Sequence, residues 1–187
     1  MHDTALHAGQ KFFQRIAYDA ASVLDVGSMD VNGTLRPFIP DGADYCGIDM
    51  ARGPNVTLVL EDPYRFPICD REFDVCISSS CLEHSQMFWL VFLEMARVTR
   101  RYIYISAPVA GPIHRHPVDC WRFYPDAGKA LEAWARWNGI DLRLMESFII
   151  PPRGDVWHDF VAVFGIGAVP HRDLGEAFPE AIERFVI

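Results

Sequence analysis

The sequence predicts an α/β fold in which a mostly parallel sheet is covered by helices on both faces. Short apolar runs alternate along the chain with segments of helical period, as in strand–helix–strand units. Several of these runs end at a glycine or an acidic residue, which is how an open sheet presents ligands at its carboxyl edge. The 187 residues suit a single domain whose core needs no disulfide bonds.

The first half of the chain supplies a leading helix and four strands. Pro37 and Pro40 end a brief helix that starts at Gly33. The segment 63–72 holds two prolines and no helical period, so we predict a loop there. The leading helix is predicted over residues 5–20, and the strands over residues 22–26, 45–48, 56–60 and 73–78.

The second half adds two helices and three strands. The segment 85–98 predicts a helix that is apolar on nearly every face. Such a helix is either sandwiched in the core, which we favour, or part of a homodimer interface. Asp126 predicts the cap of the next helix, and Gly139 marks its end. The other predicted elements are a strand over 102–106, a loop over 107–125, the capped helix over 126–138, antiparallel strands over 142–150 and 160–166, and a short helix in the tail from Val169.

Charge and cysteine content restrict the classes of function. A net charge of −8 repels phosphate backbones, which argues against nucleic acid as a partner. The first ten residues lack the pattern of a secretory signal, and no uncharged apolar stretch reaches the roughly 20 residues of a membrane span. The five cysteines are odd in number and form no C-x-x-C pair, so we expect reduced thiols in a cytoplasmic protein.

The first candidate site is the corner where the first strand ends. Gly27 follows Asp25 and Val26 directly, and because it has no Cβ a ligand can approach the backbone closely. Asp49 ends the next strand. A carboxylate at that position can accept both hydroxyls of an adenosine ribose, in dinucleotide and S-adenosylmethionine folds alike.

Two features separate these cofactors. The dinucleotide fingerprint G-x-G-x-x-G is absent, because the next glycine after Gly27 is Gly33, and a pyrophosphate needs that dense glycine turn. A carboxylate at Asp25 repels a pyrophosphate but attracts a cationic amino acid group. The residues therefore favour S-adenosylmethionine and make a nicotinamide-dependent reductase the least favoured alternative.

Ordered motifs at the strand ends, from about residue 21 to 109, resemble class I S-adenosylmethionine-dependent methyltransferases, in particular the type 11 group. The resemblance implies a Rossmann-like sheet of seven strands, mostly parallel with one antiparallel strand, and helices on both faces. The usual G-x-G of the first loop reads here Gly27-Ser28-Met29. The motifs are Asp25-Val26-Gly27-Ser28, Gly47-Ile48-Asp49, Asp62 with Phe66-Pro67, Phe73-Asp74-Val75, and Ser78-Ser79-Ser80-Cys81-Leu82-Glu83-His84.

The resemblance also implies which residues hold the cofactor. Asp25 and Gly27 are expected near its methionine part, Asp49 on its ribose, and Asp62 near the adenine amine. Because the first loop departs from the family pattern, Asp30 and Asn32 are expected to supply contacts of their own. The predicted cofactor-binding residues are Asp25, Val26, Gly27, Ser28, Asp30, Asn32, Asp49, Met50, Glu61, Asp62, Ser78 and Ser79.

A loop rich in titratable and aromatic residues follows the fifth strand, and its stretch 116–125 resembles a bacterial subset of these methyltransferases. An acceptor hydroxyl must lose its proton, and we predict His84, His116 and Asp119 as candidate bases. A structural role is open for each. A metal bound by His114, His116 and Asp119 is a further alternative, although we predict no metal site. The predicted acceptor contacts are His114, Arg115, Trp121, Arg122, Tyr124, Trp157 and His158.

We therefore predict one methyltransferase domain over residues 1–187. Its leading helix lies within 1–20, its cofactor-binding half within 21–109 and its acceptor side within 110–187. The predicted reaction is O-methylation of a sugar or another small-molecule hydroxyl. The alternative is a non-catalytic S-adenosylmethionine-binding partner subunit or a degenerate methyltransferase, because the chain has no large inserted substrate cap.

Overall fold

The computed structural model describes residues 3–152, 156–170, 174 and 177–186. It contains three α-helices, two single 3₁₀ turns and eight strands among these residues. The helices are α1 (Asp3–Arg15), α2 (Phe88–Val98) and α3 (Asp126–Trp137). The strands are β1 (Ser22–Val26), β2 (Asp44–Asp49), β3 (Leu58–Val59), β4 (Phe73–Ser79), β5 (Thr99–Ala110), β6 (Leu142–Ile150), β7 (His158–Ile166) and β8 (Ile182–Val186).

All eight strands form one sheet in the order β3-β2-β1-β4-β5-β7-β6-β8. Strands β1 to β5 pair in parallel, whereas β7 pairs antiparallel with both β5 and β6. The predicted α/β class and the antiparallel final pair are therefore confirmed. The chain order reverses beside β1, whose two neighbours are β2 and β4, and such a switch point opens a crevice at the carboxyl edge.

The predicted strand count of seven is wrong, and the tail does not end in the predicted short helix. The described end of the tail is strand β8, which pairs antiparallel with β6. Strand β6 is buried along most of its length, so its outer edge would otherwise present unpaired backbone groups. The partner strand satisfies those groups, and a helix would not.

Two apolar layers hold the helices against the sheet. Helix α1 buries Phe12 and Phe13 against one face, where they pack with residues such as Tyr104. Helices α2 and α3 cover the other face, where Phe92 packs with Phe164. The predicted core position of α2 is confirmed for the side of the helix that carries Phe92. Phe88 and Trp89, in its first turn, instead line an open apolar groove between α2 and α3. No helix among the described residues is both long and apolar enough to cross a bilayer.

Several predicted boundaries shift. Helix α1 ends at Arg15, and α2 begins at Phe88 because residues 82–84 form a separate 3₁₀ turn. Strand β5 extends to Ala110, well into the predicted loop. Asp126 makes no capping bond, because Pro125 occupies the N-cap position and the Asp126 carboxylate pairs with Lys129 instead.

Candidate functional site

A cavity of about 910 Å³ opens at the carboxyl ends of β1, β2 and β4, at the switch point of the sheet. Its volume falls within the range of small-molecule and cofactor sites. One end is formed by the corners after β1 and β2, and the other by residues 84–86 together with residues 114–118 of the acceptor loop. The sheet therefore joins the predicted cofactor corner and part of the predicted acceptor side in one space.

The corner after β1 is tightly built around Gly27. Its φ of +77° lies in the left-handed region, and a Cβ there would overlap the side chain of Cys81. The backbone N–H groups of Gly27 and Ser28 both donate to the carbonyl of Ile48, at 2.9 and 3.1 Å. These bonds fix the turn against the end of β2, and Gly27 and Ser28 line the cavity at this corner.

Asp25 places a buried carboxyl group at the base of this corner. It is 7% exposed, and the hydroxyl of Tyr45 donates to its Oδ2 at 3.0 Å. Burial raises the pKa of Asp25 to about 7, partly offset by the Tyr45 hydrogen bond and reinforced by the nearby charge of Asp49. A cation that enters the cavity beside Asp25 would therefore favour its ionised form.

Asp49 presents its carboxylate at the end of β2. The backbone N–H of Met29 donates to Oδ2 at 3.2 Å, and that of Ala51 donates to Oδ1 at 3.3 Å. These two bonds orient the carboxylate at the cavity wall. Each oxygen still has a free lone pair, so the group can accept two further hydrogen bonds from a ligand.

An apolar slot lies beyond Asp49, lined by Leu60, Tyr64 and Phe66. The backbone of Phe66 is held at both ends, since its N–H donates to Glu94 at 2.7 Å and its carbonyl accepts from Arg97 at 3.1 Å. Arg97 also donates to the carbonyl of Ile68 at 2.8 Å. The guanidinium of Arg97 thus fixes the loop before β4. The apolar side chains of the slot suit the flat face of a nucleobase.

The acceptor loop closes the other end of the cavity. The backbone N–H of Cys120 donates to the carbonyl of Glu83 at 2.8 Å, which ties the loop to the turn after β4. The ring of His84 lies 4.9 Å from that of His114 and 6.3 Å from that of His116, measured between ring centroids. Three imidazoles therefore meet at this end.

Asp119 lies behind this group of imidazoles rather than on the cavity wall. Arg122 donates to its two carboxylate oxygens at 2.5 and 2.9 Å, and the backbone N–H of His114 donates to it at 2.8 Å. These contacts hold the pKa of the Asp119 carboxyl well below its usual range, the Arg122 bond being the largest cause. Asp119 is thereby a poor proton acceptor at neutral pH.

The predicted site residues divide into two groups. Those on the cavity wall are Asp25, Val26, Gly27, Ser28, Asn32, Asp49, Met50, Ser79, His84, His114, Arg115 and His116. Those off the wall are Asp30, Glu61, Asp62, Ser78, Asp119, Trp121, Arg122, Tyr124, Trp157 and His158.

Local contacts explain why several residues lie off the wall. Asp30 and Asp62 accept hydrogen bonds from the backbone of their own turns, and Ser78 donates to the carbonyl of Val26. Trp157 packs edge-on behind His114, with ring centroids 4.7 Å apart. Asp159, next to His158 in β7, accepts a hydrogen bond from Thr4 of α1 on the far face.

Sequence reasoning missed Leu60, Tyr64 and Ser85 as residues of the cavity. Leu60 and Tyr64 looked like ordinary strand and loop residues, and Phe66 was recognised only as part of a motif, without a role. Ser80 and Ser85 line the cavity with buried hydroxyls that have no hydrogen-bond partner among the described residues. Buried polar atoms are normally paired, so these two hydroxyls fit a cavity that receives a polar ligand.

Comparison with known proteins relates part of the chain to a family. Residues 24–104 match the family model of a methyltransferase domain. No curated protein matches the sequence.

Solved structures share the fold at low identity. A 1,6-didemethyltoxoflavin-N1-methyltransferase of Burkholderia thailandensis, crystallised with that compound and S-adenosylhomocysteine, is 16% identical with a TM-score of 0.68 over 89% of this chain and 80% of its own. Magnesium protoporphyrin IX methyltransferase of Synechocystis PCC 6803, with bound S-adenosylmethionine, is 12% identical, and it aligns with a TM-score of 0.60 over 88% of this chain and 79% of its own. The N-terminal domain of EvdMO1, crystallised in the presence of S-adenosylhomocysteine and D-fucose, is 16% identical, and it aligns with a TM-score of 0.55 over 89% of this chain and 84% of its own.

Proposed function

We propose that this chain is a class I methyltransferase of the type 11 group and that it transfers a methyl group from S-adenosylmethionine to a hydroxyl of a sugar or another small molecule. The observation that carries the proposal is the single cavity between the Gly27 and Asp49 corners and the imidazoles of His84, His114 and His116. The neighbours support the cofactor, and the EvdMO1 domain supports a sugar as one acceptor class. The proposed location is the cytoplasm.

The residues of the cavity fit the parts of this cofactor. Asp49 would accept the ribose hydroxyls with its two free lone pairs, and the slot of Leu60 and Phe66 would take the adenine. The open backbone at Gly27 and the carboxyl group of Asp25 would receive the cationic amino acid part. The cofactor supplies an activated methyl group, so the protein has mainly to align the acceptor and exclude water.

On the acceptor side, His84 and His116 remain the candidate bases because both lie on the cavity wall. Asp119 is proposed as a positioning residue instead, since Arg122 and His114 occupy its oxygens. Arg115 reaches the cavity and would suit an acceptor that carries a carboxylate or phosphate. In a homodimer, the groove between α2 and α3 is the surface we expect to be buried.

The reaction is tested with S-adenosylmethionine carrying an isotope-labelled methyl group and a panel of sugars, phenols, amines and thiols. We expect label in one class of hydroxyl compounds and an equal amount of S-adenosylhomocysteine. Label on nitrogen or sulfur acceptors alone would contradict O-methylation. Tight binding of S-adenosylhomocysteine with no labelled product from any acceptor would favour the non-catalytic alternative.

We expect the affinity for S-adenosylhomocysteine to fall as the pH drops below about 7, because Asp25 is then protonated in the free protein. The ammonium group of the ligand stabilises the carboxylate, so binding releases a proton, and affinity changes by up to about tenfold per pH unit. Calorimetry between pH 6 and 8 in buffers of different ionisation enthalpy measures both effects. The free protein should also lose stability as the pH rises from about 4 to about 7, because over this range Asp25 ionises in the unfolded chain but stays protonated in the fold.

The control for this prediction is Asp25→Asn, which keeps the shape of the side chain but cannot titrate. It should flatten the pH dependence, which assigns that dependence to Asp25. A wild-type affinity that is constant from pH 6 to 8 would contradict the assignment of the amino acid part to this corner.

A further inference from the structure

Glu83 is a buried carboxylate for which the cofactor contacts provide no role. It lies in the 3₁₀ turn after β4 and is 0% exposed. Neither of its side-chain oxygens has a hydrogen-bond partner among the described residues. A carboxylate removed from water in this way is costly unless a cation or several donors compensate for it.

The nearest described partners of Glu83 are two imidazoles rather than an arginine or lysine. The Nε2 atoms of His84 and His114 lie 3.7 and 3.8 Å from Glu83 Oε1, beyond hydrogen-bond distance. Arg122, which follows His114 in the acceptor loop, donates its guanidinium hydrogen bonds to both carboxylate oxygens of Asp119. One potential ligand atom from each of Glu83, His84 and His114 can be chosen so that all three lie within 4.8 Å of one another.

The hydrogen bond of His84 fixes which of its nitrogens is free. Its Nδ1 lies 2.5 Å from the carbonyl oxygen of Val118, which can only accept, so Nδ1 carries the proton. In the neutral ring, Nε2 then has a lone pair that points towards the carboxylate of Glu83. Two electron-rich groups that face each other across 3.7 Å require a positive charge between them.

His114 is oriented in the same sense by the loop behind it. Its Nδ1 lies 3.4 Å from Asp119 Oδ2, while its Nε2 faces Glu83. Asp119 is itself held by Arg122, so the chain Arg122–Asp119–His114 turns the imidazole towards Glu83. A carboxylate behind the far nitrogen is the usual support of a metal-binding histidine.

We infer that Glu83, His84 and His114 form a binding site for one divalent first-row transition metal ion, such as Zn²⁺, at the acceptor end of the cavity. Two histidines and one carboxylate are a common ligand set for such ions, with further positions open. Bonds of about 2.1 Å place tetrahedral ligand atoms about 3.4 Å apart. The two distances from Glu83 to the imidazoles, 3.7 and 3.8 Å, therefore need to shorten by only a few tenths of an ångström, and the two imidazole nitrogens already lie within 4.8 Å of each other. The sequence pointed to His114, His116 and Asp119 as the metal alternative, and the structure assembles a different triad.

The site has a consequence that rests on the proposed function. His84 and His114 line the cavity, so the open positions of the metal face the acceptor. A hydroxyl bound there has a lowered pKa and passes its proton to water or His116. Its oxygen then forms the bond to the methyl carbon as the sulfur–carbon bond breaks and leaves its electron pair on sulfur.

The inference is tested without turnover by titrating metal-free protein with Co²⁺, whose visible spectrum reports its ligands. We expect one Co²⁺ per chain, displaced by Zn²⁺, in a site of low coordination number. Glu83→Gln and His114→Gln lie on different segments, and each should weaken binding roughly 100-fold or more. The matched control is His116→Gln, which removes an imidazole from the same loop and should leave Co²⁺ binding unchanged.

Three outcomes would overturn the site. They are no visible cobalt spectrum in the wild type, equal affinity in the wild type and Glu83→Gln, or a near-ultraviolet band from cobalt–thiolate bonds, which would assign the ion to cysteines. An imidazole–carboxylate ion pair without metal would produce the first of these. Binding of S-adenosylhomocysteine, measured on the same samples, confirms folding of each variant and keeps a failed metal test distinct from a failed cofactor assignment.

Discussion

Replacing Gly27 with alanine should both destabilise the protein and remove binding of S-adenosylhomocysteine. The φ of +77° costs a residue with a Cβ about 1–2 kcal/mol. The new methyl group would also overlap the side chain of Cys81, and relief of such overpacking costs about 1–3 kcal/mol. A total of roughly 3 kcal/mol lowers the melting temperature of a chain of this size by about 6–12 °C. Because the corner itself must move, we expect the ligand affinity to fall at least roughly 100-fold.

Gly42→Ala provides the matched control for this prediction. Its φ of +81° imposes the same backbone cost, but nothing lies within 4 Å of the added Cβ. It should therefore lose only about 1–2 kcal/mol and bind S-adenosylhomocysteine like the wild type. Equal losses of stability and affinity in the two variants, measured by thermal melting and calorimetry, would show that the contact with Cys81 and the corner at Gly27 have no special role.

Asp49→Ala should produce a similarly large loss of cofactor affinity, but with little loss of stability. The carboxylate would accept both ribose hydroxyls, and a hydrogen bond to a charged group contributes about 1.5–3 kcal/mol. Loss of two such bonds predicts a fall of roughly 100-fold or more in affinity for S-adenosylhomocysteine. The two backbone N–H groups that Asp49 accepts from lie at a cavity wall and can bond to water instead.

The control for Asp49 lies at the other end of the same strand. Asp44→Ala removes an equal charge from an exposed position at the start of β2, away from the cavity. Calorimetry should show that this variant binds S-adenosylhomocysteine within a factor of about two of the wild type. A loss of affinity in Asp44→Ala as large as that in Asp49→Ala would indicate a general charge effect rather than a ribose contact.

The sequence was sufficient to predict the elements whose signals are local. The apolar run of β1 and its stop at Gly27 are visible in six consecutive letters, and β1 is observed with the predicted bounds. The antiparallel pair β6 and β7 follows from two apolar runs with no helical segment between them. These patterns are local because strand period and turn chemistry are properties of neighbouring residues.

The sequence was not sufficient where a contact joins distant residues. Nothing in the run 182–186 indicates that the edge of β6 needs a partner strand, so β8 was missed. Glu83 looks like a solvated acid at a turn, and its burial depends on the loop that begins about thirty residues later. The apolar slot for a nucleobase likewise depends on a distant contact, because Arg97 of α2 holds the backbone carbonyl of Phe66 in place.

The central claim is that the crevice beside β1 holds an adenosyl amino acid, and a crystal structure with S-adenosylhomocysteine tests it most directly. We predict electron density with both ribose hydroxyls within about 3 Å of the Asp49 carboxylate and the ligand's ammonium group beside Asp25. Density for the ligand elsewhere, or a crevice that stays empty at saturating ligand, would contradict the assignment.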